Sequence, residues 1–134
     1  MDNIYIGLGH IAVCTEDMEN SIAFYEKIGG RLLKRDCLEK PEGTLDLALI
    51  ALGSVTVELL KYPYPVNMGC GSIPHFALLV KSVDEAAAFI RAAGVDTFKA
   101  PAKNVDTRLF AGLENWFFTG PSGEEIELLQ MYEM

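Results

Sequence analysis

His75-Phe76-Ala77-Leu78-Leu79-Val80 decides the fold, because it repeats His10-Ile11-Ala12-Val13 earlier in the chain. A shift of 65 residues places the first histidine on the second. Nearer the end of each half the shift grows to 69 residues, where Val57-Glu58-Leu59-Leu60 aligns with Ile126-Glu127-Leu128-Leu129. Two related halves of this length indicate a duplicated half-domain, with about four residues inserted in the second copy before its last strand.

The composition favours one globular domain over residues 1–134. At 134 residues, 50% of them hydrophobic, the chain can bury a sizeable core, whereas two independent domains would each be marginal. The net charge of −8 and the scattered basic residues argue against a nucleic-acid partner, because phosphate contacts need clustered Lys and Arg. No apolar run approaches the roughly 20 residues of a membrane span, and we expect no signal peptide. Three cysteines without C-x-x-C spacing favour reduced thiols, so we expect a soluble cytoplasmic protein with no membrane partner.

Hydrophobic periodicity predicts one order of elements in both halves. In the first half we expect a strand, a helix begun by Thr15-Glu16-Asp17 and three further strands, at 5–14, 18–28, 31–38, 45–52 and 55–61. A linker from Tyr62 to Pro74, rich in proline and glycine, separates the halves. In the second half we expect a strand at 75–80, a helix at 83–93 capped by Ser82, a short strand near Thr97-Phe98, a loop over 101–115 containing Asp106, Arg108 and Asn115, and strands around 116–118 and at 125–131. The predicted fold class is α+β, with βαβββ modules at about 5–62 and about 74–133.

Four side chains occupy equivalent places in the two halves: His10 and His75, and Glu58 and Glu127. Taken singly, such a histidine is more often a satisfied half-buried side chain, and such a glutamate a polar residue on a solvated face. If a pseudo-twofold axis relates the halves, however, equivalent positions converge. Two facing carboxylates would raise each other's proton affinity, and a divalent cation removes that conflict. We therefore predict a metal site built from all four, for Zn, Ni, Co, Mn or Fe(II).

Three phrases of the sequence carry a family resemblance: Gly9-His10-Ile11-Ala12-Val13, Ser21-Ile22-Ala23-Phe24-Tyr25 and Gly120-Pro121-Ser122-Gly123-Glu124-Glu125-Ile126-Glu127-Leu128. They resemble the vicinal oxygen chelate superfamily, which includes glyoxalase I, methylmalonyl-CoA epimerase, extradiol dioxygenases, and fosfomycin and bleomycin resistance proteins. The resemblance covers nearly the whole chain. It implies βαβββ modules that form an incomplete barrel around a metal, a small-molecule substrate and a homodimer.

The resemblance assigns the metal ligands by position as His10, Glu58, His75 and Glu127. This set is similar to that of bacterial-type glyoxalase I (lactoylglutathione lyase), which prefers Ni or Co. Dioxygenases and fosfomycin enzymes typically use two histidines and one glutamate, so Glu58 argues against them. Glyoxalase I usually has an arginine where this chain has Cys14, and an asparagine where it has Tyr62. Both family residues help to hold glutathione, so the chain departs from the glutathione-binding pattern.

The leading functional hypothesis is a metal-dependent lyase or isomerase of the glyoxalase I type. A proton would move next to a metal-chelated carbonyl through an enediolate, carried by Glu127 or Glu58. The candidates for holding the substrate are Tyr62, Arg108 and Trp116. Lys99 and Lys103, with Arg108, could also hold an anionic end of the substrate, although a solvated surface suits each of them.

Two alternatives remain from the sequence. One is an epimerase similar to that for methylmalonyl-CoA, with Glu42 as a second base, although Glu42 also suits an ordinary turn. The other is a non-catalytic drug-binding protein of the bleomycin-resistance type. Its cleft would be lined by aromatic residues that are otherwise typical of a core, namely Tyr62, Tyr64, Trp116, Phe117 and Phe118. Such relatives generally lack the metal ligands that this chain has.

Overall fold

A computed structural model describes residues 8–66, 73–105 and 112–132 of the chain. The chain divides into two compact units, Met1–Val66 and Asn67–Met134. Each unit contains one helix and one four-stranded sheet in the order βαβββ. The predicted α+β class and the tandem modules are therefore confirmed, and the boundary between the units falls in the predicted linker.

The first unit consists of β1 (Ile11–Cys14), α1 (Met18–Lys27), β2 (Arg31–Lys40), β3 (Gly43–Leu52) and β4 (Val55–Lys61). The strands lie in the order β1-β4-β3-β2, so the first strand of the unit pairs with the last. That pairing is parallel, and the other two are antiparallel. A helix between β1 and the rest of the sheet supplies the long connection that a parallel pair requires.

Helix α1 begins and ends where its sequence predicts. The Asp17 side chain accepts a hydrogen bond from the Asn20 backbone N–H at 3.0 Å, which satisfies a free donor of the first turn. Gly29 follows the helix with a φ of 103°, a left-handed conformation that favours glycine. One face of the helix and one face of the sheet form the core of the unit, which includes Met18, Ile22, Tyr25, Ala48, Ile50, Val57 and Leu59.

The second unit consists of β5 (Phe76–Leu79), α2 (Val83–Ala92), β6 (Ala102–Val105), β7 (Leu113–Thr119) and β8 (Glu125–Met131). Its strand order, β5-β8-β7-β6, repeats that of the first unit, with a parallel first-to-last pair. Ser82 caps α2 as predicted, since its hydroxyl accepts from the Glu85 backbone N–H at 3.1 Å. In the described part of the chain, no helix is long and apolar enough to cross a membrane.

Several predicted boundaries are wrong. Strands β1 and β5 are shorter than predicted, so each histidine lies just before its strand. The short strand expected near Thr97-Phe98 is absent, and the strand is instead β6, four residues further on. The segment lies beside β7 through isolated hydrogen bonds, such as Lys99 N–H to the Phe117 carbonyl at 2.9 Å, and the Phe98 ring stacks on Phe118. Side-chain packing thus holds it in place without a strand ladder.

The loop predicted over 101–115 is also wrong at both ends, because it contains β6 and the start of β7. The polar pair Glu114-Asn115 concealed the strand, since alternating polar residues at that point resemble a loop. Asn115 therefore lies on β7. Asp106 and Arg108 lie outside the described residues.

The extra residues of the second unit lie in two places. The strand neighbours of the two glutamates, Leu49 and Phe117, are 68 residues apart, whereas the glutamates themselves are 69 apart. One residue is therefore inserted in the β7–β8 turn, and the others lie between the histidine and β7. The shift of register is complete before β8 begins, so the last strands of the two units correspond residue by residue.

Replacing Phe118 with Ala tests the core of the second unit. The Phe118 side chain is 0% exposed and stacks on Phe98 with ring centroids 4.8 Å apart. The variant should lose about 3–5 kcal/mol of unfolding free energy in urea denaturation, the usual cost of truncating a buried aromatic ring. Phe89 on α2 is 58% exposed, so Phe89→Ala should change that free energy by less than about 0.5 kcal/mol. Equal losses in the two variants would contradict this packing.

Candidate metal centre

The first histidine–glutamate pair is created by the parallel pairing of β1 and β4. Ala12 on β1 lies opposite Glu58 on β4. His10 is two residues before Ala12, and side chains two residues apart in extended chain lie on the same face of a sheet. Accordingly, His10 Nε2 lies 3.2 Å from Glu58 Oε1.

The second pair repeats the first. Ala77 on β5 lies opposite Glu127 on β8, and His75 is two residues before Ala77. His75 Nε2 lies 3.2 Å from Glu127 Oε1, the same separation as in the first unit. Each unit therefore presents one imidazole nitrogen and one carboxylate oxygen, side by side, at the same position of its sheet.

This spacing suits two ligands of one metal ion. Two donor atoms bound at about 2.1 Å, at an angle of about 90–110°, lie about 3.0–3.4 Å apart. Both pairs fall within that range. The donor set of imidazole and carboxylate, without thiolate, is one that first-row divalent ions accept.

The four predicted ligands form two pairs, each within its own unit. Among residues 8–66, 73–105 and 112–132, no group of three or more His, Cys, Asp or Glu side chains is close enough to hold a metal ion. Each pair supplies two donors, and a structural or catalytic site needs at least three protein ligands. The joint four-ligand site remains a prediction from the sequence.

The second pair has supports that the first lacks. Asn115 on β7 donates a hydrogen bond from Nδ2 to Glu127 Oε2 at 2.8 Å. The Phe117 ring packs edge-on to the His75 imidazole, with ring centroids 5.1 Å apart. The Glu127 side chain is 12% exposed, whereas that of Glu58 is 25% exposed. The second carboxylate is thus more enclosed and more firmly held than the first.

The sequence-based analysis missed the role of Asn115. It lies two residues before Phe117, and Phe117 pairs with Glu127 across the β7–β8 hairpin. The period-two rule therefore places Asn115 on the face of Glu127, but only once β7 is known to begin before residue 115. In the first unit the corresponding rung carries Leu47, which pairs with Leu60 as Asn115 pairs with Leu129.

The turn before β8 sets the position of Glu127. Gly120 N–H donates to the Glu124 carbonyl at 2.9 Å, and the Ser122 N–H donates to Glu124 Oε1 at 2.8 Å. Gly123 has a φ of 85°, which favours glycine. These contacts close the five-residue turn and fix where β8 starts. The family-like phrase of this segment is therefore explained by local turn geometry.

The predicted substrate-binding residues do not gather around the pairs. Trp116 alternates with Asn115 and Phe117 along β7, so it lies on the opposite face of the sheet from Glu127. There its indole N–H donates to the Lys99 carbonyl, and the Arg91 guanidinium lies 5.5 Å from its ring. Trp116 thus contributes to packing on the helix side of the sheet.

The remaining candidates are placed as follows. Tyr62 follows β4, and its ring lies 5.5 Å from that of Tyr64 in a tilted arrangement. Lys99 Nζ is paired with Glu125 Oε1 at 2.6 Å, so this cation already has a partner. The structure does not describe Arg108 or the side chain of Lys103.

Glu42 lies exposed in the two-residue turn between β2 and β3, as the turn interpretation predicts. Leu49, the neighbour of Glu58, is six residues along β3 from Gly43, which directly follows Glu42. At about 3.4 Å per residue, Glu42 is about 20 Å from Glu58 along the strand. Two bases that serve one carbon must both reach it, so this separation within the chain does not favour the epimerase alternative.

Comparison with known proteins adds a family match. Residues 7–128 match the Glyoxalase/Bleomycin resistance protein/Dioxygenase superfamily. The uncharacterized proteins YwkD and YwbC of Bacillus subtilis are 29% and 31% identical to the chain, over 90% and 92% of its length and 94% and 96% of theirs.

Solved structures agree on the fold. A glyoxalase family protein from Enterococcus faecalis superposes with a TM-score of 0.73 at 22% identity, covering 95% of this chain and 99% of its own. A mutant of the fosfomycin resistance protein FosX of Listeria monocytogenes, in complex with Mn(II) and a dihydroxypropylphosphonic acid, gives 0.68 at 19% identity, covering 93% of this chain and 92% of its own.

Substitutions on β7 should separate the two faces of the sheet. Phe117→Leu should shift the His75 imidazole resonances in NMR spectra, because it removes the ring 5.1 Å away. Trp116→Phe should leave those resonances nearly unchanged while lowering the unfolding free energy by about 1–2 kcal/mol, through the lost hydrogen bond and weaker contact with Arg91. A shift of the His75 resonances in Trp116→Phe as large as in Phe117→Leu would contradict the assignment of faces.

Proposed function

Since the chain belongs to the glyoxalase/bleomycin resistance protein/dioxygenase superfamily, we propose that it is a metal-dependent lyase or isomerase of the glyoxalase I type. The observation that supports this most directly is the pair of equivalent His–Glu contacts, each 3.2 Å long. Two carboxylates and two neutral imidazoles balance the charge of one divalent ion. We propose that His10, Glu58, His75 and Glu127 together hold that ion.

The donor chemistry narrows the choice of ion. Imidazole nitrogen and carboxylate oxygen suit Ni, Co and Zn, and they are also accepted by Mn and Fe(II). The histidines bind as neutral imidazoles, so the ion competes with protons for them. The four-ligand set, with Glu58 as the additional carboxylate, distinguishes the proposed site from sites that use two histidines and one glutamate.

The proposed reaction moves a proton between two neighbouring carbons of a small hydroxycarbonyl substrate. A bound divalent ion supplies Lewis acidity, which stabilises the negative charge that develops when a C–H bond next to the carbonyl is broken. A carboxylate, that of Glu58 or Glu127, accepts the proton from one carbon and returns it to the next. Apolar neighbours on the same sheet faces, Leu49 beside Glu58 and Phe117 beside Glu127, lower the local dielectric and strengthen these interactions.

Metal affinity tests the ligand assignment. The stripped protein should bind one Ni²⁺ or Co²⁺ per chain in calorimetric titration, and Glu58→Gln or Glu127→Gln should each weaken binding about tenfold or more. Glu125→Gln is the matched control, because Glu125 is two residues from Glu127 on β8 but is paired with Lys99. This control should bind as the wild type does. Absence of binding in the wild type would refute the proposed metal site.

Solvent isotope exchange tests the reaction. In D₂O, protein loaded with Ni²⁺ or Co²⁺ should introduce deuterium next to the carbonyl of at least one compound in a panel of small α-hydroxycarbonyls and their thiol adducts. Replacing the glutamate that moves the proton with Gln should lower the rate by about 10²–10⁴-fold. Mass spectrometry measures the incorporation, with stripped protein as the blank. No incorporation in any compound by loaded protein would contradict the proposal.

A further inference from the structure

The hydrogen bond between Asn115 and Glu127 makes the two proposed glutamate ligands inequivalent. We infer that Asn115 is a positioning residue that keeps Glu127 as a fixed ligand and leaves Glu58 as the carboxylate that moves the proton. This inference rests on the proposed function and assigns different roles to its two glutamates. Three differences between the units carry it: hydrogen bonding, packing and exposure.

Both carboxylate oxygens of Glu127 are engaged. Oε1 lies 3.2 Å from His75 Nε2, and Oε2 accepts the hydrogen bond from Asn115 Nδ2 at 2.8 Å. The terminal torsion of a glutamate is otherwise broad, so contacts at both oxygens select one orientation of the carboxylate. A neutral amide donor also leaves the carboxylate its charge and one oxygen directed at the histidine. That is the arrangement by which an outer residue orients a metal ligand.

Glu58 has only one such contact. Its Oε1 lies 3.2 Å from His10 Nε2. The rung that carries Asn115 in the second unit carries Leu47 in the first, and a leucine side chain donates no hydrogen bond. Within the residues that the structure describes, no side chain donates to Glu58 as Asn115 does to Glu127. The second oxygen of Glu58 is therefore free to rotate towards a substrate.

Packing and exposure point the same way. Phe117 lies edge-on to His75, and Asn115 is two residues before it on β7, so one strand supports both members of the second pair. Leu49 occupies the place of Phe117 in the first unit. Glu127 is 12% exposed and Glu58 is 25% exposed. The first pair thus has both the freedom and the access that a proton carrier requires.

The proton transfer assigned to Glu58 balances as follows. The C–H bond next to the carbonyl breaks, and its electron pair stays on the substrate as an enolate. The proton forms an O–H bond with the Glu58 carboxylate. It is then delivered to the neighbouring carbon, whose new C–H bond uses the electron pair of the enolate. Glu58 ends as the carboxylate, and no oxidant or reductant takes part.

The test compares Asn115→Leu with Leu47→Asn, which exchange the two residues of the equivalent rungs. Asn115→Leu should weaken Co²⁺ binding about 10–100-fold in calorimetric titration, the usual effect of removing an outer-shell partner. Leu47→Asn should not weaken it. Thermal unfolding of the stripped proteins separates packing damage from lost orientation. If Asn115→Leu does not fold, Asn115→Val, which also lacks a donor and suits a strand, takes its place.

Combination with the ligand substitutions makes the test specific. In the wild-type background, Glu127→Gln should weaken Co²⁺ binding more than Glu58→Gln does. In the Asn115→Leu background, the two losses should become similar, because the advantage of Glu127 is gone. At saturating Co²⁺, Glu58→Gln should lose deuterium exchange while Glu127→Gln retains a measurable rate.

Three results would overturn the inference, and they differ from failure of the proposed function. Unchanged Co²⁺ affinity in Asn115→Leu would remove the positioning role while the metal site stands. Equal weakening by Asn115→Leu and Leu47→Asn would reduce the effect to packing. Loss of exchange in Glu127→Gln but not in Glu58→Gln, both saturated with Co²⁺, would reverse the roles. Absence of Co²⁺ binding in the wild type would instead refute the proposed function, and the inference with it.

Discussion

The parallel pairing of the first and last strands of each unit is the constraint on which the candidate site depends. It places Ala12 opposite Glu58 and Ala77 opposite Glu127, so the histidine two residues before each alanine lies beside the glutamate. A slip of one residue in either pairing would turn the glutamate to the other face of the sheet. The helix that connects these strands serves the same geometry, because a parallel pair needs a long connection and the helix covers one face of the sheet.

The two units show how a duplicated element can diverge without losing its site. Both keep the 3.2 Å contact between imidazole and carboxylate. Around it, the first unit has leucines at the rungs where the second has Asn115 and Phe117. The shared part suits a common task, holding one divalent ion. The part that differs suits a division of labour, in which one carboxylate stays fixed while the other exchanges between the ion and the substrate.

Much of the fold followed from the sequence, because the repeat and the helix signals are local. The capping side chains of Asp17 and Ser82, and the bounds of β4 and β8, are all confirmed. The course of the second unit before β8 was not predictable in the same way. Phe98 is held there by ring stacking, and no local signal distinguishes that from a strand.

The candidate site was predictable in its ligands but not in its surroundings. Equivalent positions in the repeat were enough to group each histidine with a glutamate. Asn115 and Trp116 are neighbours in sequence, however, and only the start of β7 decides which of them faces Glu127. Without that boundary, the aromatic residue was the more obvious candidate for the substrate. The structure places Trp116 on the packing side, and Asn115 on the side of the glutamate.

The central claim is that two equivalent pairs serve a single ion, and X-ray absorption spectroscopy of the Ni-loaded protein tests it most directly. The account predicts one ion per chain with a shell of nitrogen and oxygen donors, two imidazole rings for each ion and no sulfur. Two ions per chain with one imidazole each would mean that the pairs bind separately. A thiolate in the shell would mean that the ion is held elsewhere in the chain. Either result would contradict the four-ligand site.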